Sequence, residues 1–180
     1  GSKLFAKTIM FELKIPTADY HTFTTSEEAF QYFDKEDLKA GSYVIKADGL
    51  AGGKGVTLPK THEEAKKDIA LIMDDRCFGE AGDTVIVETK LVGTEVSVFG
   101  FCNGKEAFLM PQAQDYKLSR DQTSYSTGAN TALNTGGMGS HAPVYTLTEK
   151  ELEQVLEYMN RVVSNMEYRG ILYIGLMIVK

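Results

Sequence analysis

The chain has 180 residues, 43% of them hydrophobic, which suffices for one full domain or two small lobes with a sizeable core. Its formal net charge of −6 gives no overall basic footprint for nucleic acid or an anionic membrane, so any bound anion must be held by a local site. Cys77 and Cys102 lack metal-ligand spacing and read as reduced, structural thiols of a cytoplasmic protein; three scattered histidines complete no ligand cluster, and no apolar run reaches a membrane-crossing length.

In chain order, Lys3 to Leu13 reads as a short helix that Pro16 closes off. Thr25 with Glu28 is a capping-box signature ahead of Ala29, Phe30 and Phe33, so a second helix starts there and ends by Gly41. Ser42-Tyr43-Val44-Ile45-Lys46 is β-prone, and Gly55-Val56-Thr57-Leu58 is again short and apolar. Between and around them runs Lys46-Ala-Asp-Gly-Leu-Ala-Gly-Gly-Lys-Gly-Val56, with glycine at positions 49, 52, 53 and 55. The pattern is strand, flexible loop, strand, as in a flap over a ligand. Such a loop can bring its backbone close to a ligand and aim successive N–H groups inward, and Lys46 and Lys54 add positive charge on either side. A polyphosphate fits that chemistry; an ordinary glycine-rich hairpin turn with surface lysines is the competing reading. Walker A spacing fails because Gly55 follows Lys54, and no Gly-x-Gly-x-x-Gly leads from a strand into a helix.

Thr61 with Glu64 is a second capping-box signature, and Ala65, Ile69, Ile72 and Met73 make one apolar helix stripe. Thr84 to Glu88 is a β-branched strand. Glu95 to Cys102 then pairs with Lys105 to Met110 through Asn103-Gly104, two residues that both tolerate positive φ. Gln112 to Gly139 is polar and glycine-rich without periodicity, a long loop of the kind that is functional or disordered. Thr148 with Glu151 caps the last helix, whose stripe is Leu152, Val155, Leu156, Met159, Val162 and Met166, followed by the apolar strand from Ile171 to Lys180. The absence of a methionine before Gly1-Ser2 and the ending inside an apolar strand read as a piece of something longer. Helices and hairpins in this order point to an α+β fold.

Three smaller signals carry chemistry. Val85-Ile-Val-Glu88-Thr-Lys90-Leu91-Val-Gly93-Thr-Glu95 is a strand ending in a carboxylate, a connector and a second carboxylate. Backbone groups freed at such a strand end can meet an adenine edge, and a carboxylate suits a ribose diol; solvated acids at a hairpin are the plain alternative. Gln112-Ala-Gln-Asp115-Tyr-Lys117 packs polar groups just after a buried strand, and Asn134-Thr-Gly136-Gly137-Met-Gly139 is a second glycine loop. That second loop suits another phosphate or a small polar substrate, or a simple chain reversal.

The order of these motifs resembles the glycinamide ribonucleotide synthetase family of the ATP-grasp superfamily. Phe5-Ala6-Lys7, Ile15-Pro16-Thr17, Phe78-Gly79-Glu80-Ala81-Gly82 and Gly170-Ile-Leu-Tyr173 with Gly175 extend the resemblance over nearly the whole chain. The glycine loop alone is common to ATP-grasp proteins, and the Asn-Thr-Gly-Gly-Met-Gly run narrows it to this family. The resemblance implies a ligase that joins glycine to 5-phosphoribosylamine through a glycyl phosphate, cleaving ATP to ADP and phosphate in de novo purine synthesis. It implies an ATP-grasp fold with a lead-in helix over 1–16, a small flap lobe over 17–88 and an incomplete larger lobe over 89–180. Lys46 and Lys54 would hold the ATP phosphates as catalytic cations, while Gly52, Gly53 and Gly55 shape the flap. Glu88 with the Lys90 and Leu91 backbone would take the adenine, and Glu95 the ribose. Asp115, Lys117, Asn134, Thr135, Gly136, Gly137, Met138 and Gly139 would form the substrate side. Magnesium ligands are expected beyond Lys180, so the piece alone is expected not to turn over, and its parent could carry further purine-pathway domains.

Departures from the family pattern are Tyr116 and Leu118 in place of histidine and arginine, Leu133 in place of a common proline, and a longer segment before Asn134. Thr89 and Thr94 replace hinge acids, and the connection from Gly139 to Tyr168 is short. Alternatives are a different ATP-grasp ligase, which would share flap and hinge but not the second glycine loop, and a non-catalytic nucleotide-binding or interaction module.

Overall fold

The computed structural model describes residues 1–35, 38–52, 54–116 and 139–179. The chain divides into two units, Gly1–Leu91 and Val92–Lys180. The first is built on a four-stranded antiparallel sheet of β1 (Tyr20–Phe23), β2 (Tyr43–Ala47), β3 (Val56–Thr57) and β4 (Val85–Thr89), in the order β1-β4-β2-β3. Side chains alternate across such strands. Tyr43, Ile45, Ala47, Val85 and Val87 therefore share one face, where they pack with Ala29 and Phe33 of α2 (Ser26–Lys35) and Ala65, Ile69 and Ile72 of α3 (His62–Met73). Lys46, Ile86 and Glu88 are left on the other face.

Each of the four described α-helices starts at a short polar side chain. In α1 (Lys3–Glu12), Ser2 Oγ accepts the Phe5 N–H at 2.9 Å. Thr25 accepts from Glu28 N–H at 3.3 Å at α2, and Thr61 from Glu64 N–H at 3.1 Å at α3. The α3 box departs from expectation in its second half: the Glu64 carboxylate takes the Lys60 N–H at 2.7 Å, one residue upstream of the cap. Thr148 and Glu151 make the full reciprocal box at α4 (Glu149–Met166).

The second unit holds the antiparallel sheet β6-β5-β9, formed by β5 (Thr94–Asn103), β6 (Ala107–Leu109) and β9 (Arg169–Ile178). Val155, Met159 and Val163 of α4 pack against Val96, Val98, Cys102 and Ala107. The expected stripe is corrected at its C-terminal end, because the buried line continues at i+4 spacing to Val163, leaving Met166 at 40% exposure. The β5–β6 reversal spans Asn103 to Glu106, so β6 starts later than read from sequence. Of the Asn-Gly pair, Gly104 takes positive φ (91°), while Asn103 works through its side chain, whose Oδ1 accepts the Lys105 and Glu106 N–H groups.

The stretch read as loop from Gln112 begins with structure. Ala113 and Ser97 exchange both backbone hydrogen bonds, and β7 (Gln114–Asp115) pairs with β8 (Ser140–His141). A two-residue ladder is too short to carry any periodic signal, which is why the sequence reads as irregular there. Buried Gln112 anchors the stretch by accepting from Leu147 N–H and donating to Leu147 O. No described helix is long and apolar enough to cross a membrane.

Candidate functional site

Register brings the first cluster together. Lys46 lies opposite Ile86 and Val44 opposite Glu88, so Lys46 and Glu88 are diagonal neighbours on one face of the β2–β4 pair. The Lys46 ammonium forms an ion pair with Glu88 Oε1. The other carboxylate oxygen, Oε2, is 2.7 Å from the Lys7 ammonium of α1. Lys7 also donates to Thr17 Oγ1 at 3.0 Å and Ala18 O at 3.2 Å, and it lies 4.7 Å from the centre of the Tyr20 ring. Side-chain exposure is 6% for Lys7, 8% for Glu88 and 26% for Lys46, so only Lys46 of the three reaches outward appreciably. A buried carboxylate flanked by two ammonium groups escapes the penalty of a lone buried charge.

The glycine loop rises from the end of β2 beside this cluster. Its first residues are held firmly. Asp48 Oδ1 accepts from Leu4 N–H at 2.6 Å and Ser2 Oγ at 2.9 Å, and Asp48 N–H donates to Thr84 O at 3.0 Å. The Lys3 ammonium donates to Ala47 O at 2.6 Å and Gly49 O at 3.0 Å. Burial pushes the Lys3 pKa down, with Lys46 adding to that and Asp48 opposing it. Gly49 donates to Ala81 O, and a Cβ at Gly49 would lie 2.8 Å from Ala81 Cβ, so glycine is required there by close packing. Ala47 N–H closes the loop onto Gly55 O at 2.9 Å, and Lys54 N–H turns back to Ala51 O at 2.9 Å. Gly52 is exposed at φ 58°, and Lys54 is exposed as well. Thus the Asp48, Gly49 and Lys54 N–H groups are engaged within the protein. An anion would meet the exposed middle of the loop and the two lysines.

The strand-end residues are placed by the β2–β4 pair. Glu88, expected to face adenine, turns its two oxygens to Lys7 and Lys46. The Lys90 N–H donates to Ser42 O at 2.8 Å, extending the β2–β4 ladder past Thr89, while the Lys90 side chain is exposed and Leu91 is 40% exposed. In the second unit, Glu95 lies on β5 opposite Met177, Asp115 on β7 opposite Ser140, and Gly139 O accepts the Tyr116 N–H at 2.9 Å. Gly53, Lys117, Asn134, Thr135, Gly136, Gly137 and Met138 lie outside the described residues, as do Leu118 and Leu133. Among the described residues, no three histidine, cysteine, aspartate or glutamate side chains gather in a group able to hold a metal ion.

Sequence reasoning missed Lys3 and Lys7 as members of the site. For Lys7 a signal existed: it sits three positions from both Leu4 and Met10, within the inward-facing line of α1. An amphipathic helix keeps a lysine in that line when a buried acid awaits it.

Residues 1–180 match the family model described as phosphoribosylglycinamide synthetase, ATP-grasp (A) domain. The chain is 39% identical over 184 aligned positions to the phosphoribosylamine–glycine ligase of Leptospira interrogans, covering 99% of this chain and 41% of that protein. Among solved structures it resembles the phosphoribosylamine–glycine ligase of Thermotoga maritima, with a TM-score of 0.84 and 32% identity over 99% of this chain and 44% of that one. The biotin carboxylase domain of the Hydrogenobacter thermophilus 2-oxoglutarate carboxylase, solved with MgADP, shares the fold at a TM-score of 0.72 and 14% identity, covering 97% of this chain and 36% of that one. The chain thus spans about 41% of the length of the curated relatives it matches.

Proposed function

Since the chain belongs to the phosphoribosylglycinamide synthetase ATP-grasp domain family and has the ATP-grasp fold, we propose that it supplies the nucleotide flap of a phosphoribosylamine–glycine ligase. The observation that carries this reading is Lys46, an ammonium held by Glu88 at the root of a glycine loop and partly open to solvent. Residues 17–88 then act as the flap lobe, and 89–180 contribute part of the second lobe.

The reaction activates the glycine carboxylate with the γ-phosphoryl of ATP. The amine of 5-phosphoribosylamine attacks the acyl carbon, phosphate leaves, and an amide results. Phosphoryl transfer of this kind needs positioning and positive charge more than covalent help from the protein. Lys46 lies against the phosphates and balances charge as it shifts to the leaving ADP, with Lys54 adding a second ammonium from the loop. Gly52, Gly53 and Gly55 let the flap lie close over the nucleotide and keep water from the acyl phosphate. The hinge at Lys90 and Leu91 borders the adenine, and Glu95 takes the ribose. Glu88 acts by fixing Lys46, since both its oxygens face lysines. Asp115, Lys117 and residues Asn134 to Gly139 are the candidates for binding glycine and 5-phosphoribosylamine. Magnesium, when bound, would neutralise the phosphates. Both cysteines are free thiols, which suits a reducing cytoplasm.

The test is ADP release by the full-length protein that carries this chain. Release should require glycine and 5-phosphoribosylamine together. Release that instead follows another carboxylate or another amine would assign the chain to a different ATP-grasp ligase, and none with any pair would favour a nucleotide-binding module.

A further inference from the structure

We propose that Lys7 is a positioning residue for the nucleotide site: through Glu88 it leaves the Lys46 ammonium with an unbalanced positive charge at the root of the glycine loop. An ammonium has three donors. Those of Lys7 have three partners, Thr17 Oγ1 at 3.0 Å, Ala18 O at 3.2 Å and Glu88 Oε2 at 2.7 Å. With 6% of its side chain exposed and the Tyr20 ring against it, Lys7 has no donor left for a ligand. It touches Glu88, and Glu88 touches Lys46.

Charge makes the arrangement more than a brace. Two ammonium groups and one carboxylate sum to one positive charge, and Lys46, at 26% exposure, is the member that reaches outward. Without Lys7 the sum is zero. Both Glu88 oxygens would then turn to Lys46, drawing its ammonium toward the sheet and cancelling its charge where a phosphate would arrive. Register enforces the geometry, because Tyr20 and Val44 flank Glu88 on the two neighbouring strands and confine its carboxylate.

This inference rests on the reading that Lys46 meets the phosphates, so the experiment separates the two. A non-hydrolysable ATP analogue with magnesium is titrated into the full-length protein as wild type, Lys7→Met, Lys46→Met and the double variant. Lys46 side-chain order is followed in parallel by ¹⁵N relaxation of its ammonium. Lys7→Gln, which keeps donors for Thr17 and Ala18, serves as a second uncharged variant should Lys7→Met fail to fold, with urea midpoints recording fold integrity.

The proposal expects Lys7→Met and Lys7→Gln to weaken the analogue roughly tenfold, with no further weakening once Lys46 is methionine. It also expects the Lys46 ammonium to become more restricted as Glu88 takes it over. Equal weakening in both Lys46 backgrounds would mark Lys7 as merely structural and overturn the proposal, as would unchanged affinity and Lys46 order. If Lys46→Met leaves affinity unchanged, the phosphate reading falls, and the relaxation arm still decides whether Lys7 sets Lys46.

Discussion

At the scale of single residues, position matters more than residue type. Lys54 and Lys90 are exposed lysines, whereas Lys46 is held by Glu88 because strand alternation puts both on the face away from α2 and α3. Gly55 shows the same dependence from the packing side. A Cβ there would lie 2.5 Å from Ala51 Cβ and 3.3 Å from Ala47 Cβ, inside the turn that the Ala47–Gly55 hydrogen bond closes. Gly55→Ala should therefore lower unfolding free energy by about 1–3 kcal/mol, the usual cost of overpacking. Gly52→Ala, in open space and strained only through its φ of 58°, should cost roughly 1 kcal/mol. Urea denaturation of both variants checks this, and equal, negligible losses would mean the turn relaxes freely around residue 55. Lys46 and the loop were legible because apolar Tyr43, Ile45 and the glycines announce strand and turn. The role of Lys7 was not, since Glu88, which links it to Lys46, lies far along the chain and only the fold brings the two together.

Among the elements, α4 is the one most fully written in the sequence. Thr148 accepts the Glu151 N–H, and the Glu151 carboxylate accepts from the Thr148 N–H and hydroxyl, as the Thr-x-x-Glu spacing implies. The Thr148 backbone bond, then its side-chain bond, hold the Glu151 carboxyl below the usual glutamate range. A depressed folded-state pKa adds stability that is present above the unfolded pKa and lost as pH falls through the folded one. The wild type should thus gain over Glu151→Gln at neutral pH, and melting temperatures should converge as acid protonates Glu151. A gap that stays constant with pH would mean the carboxylate bond contributes nothing. The short elements were harder to read. β7 and β8 have two residues each, and what places them is pairing with each other and the bridge from Ala113 to Ser97. Such non-local pairing leaves no trace in a window of neighbouring residues.

For the whole molecule, the family and the ATP-grasp fold follow from matches that run the length of the chain. Motif order made the fold class legible, and the family model matches residues 1–180. What motif order did not convey was that Glu88 serves two lysines and that the Lys90 N–H completes the β2–β4 ladder, both of which are consequences of register. Lys46 is proposed as the cation on which nucleotide phosphates are held during transfer. The most direct test of that role is steady-state turnover of the full-length protein that carries this chain, as Lys46→Met against Lys90→Met as the exposed control. A charge-assisted contact in a water-excluded site contributes roughly 2.7–4 kcal/mol to the transition state, so Lys46→Met should cut kcat/KM on the order of a hundred- to a thousand-fold. The exposed Lys90 contributes under about 1 kcal/mol, and its loss should cost less than about fivefold. Equal and mild losses in the two variants would contradict the account, leaving Lys46 as a partner of Glu88 in the fold and no more.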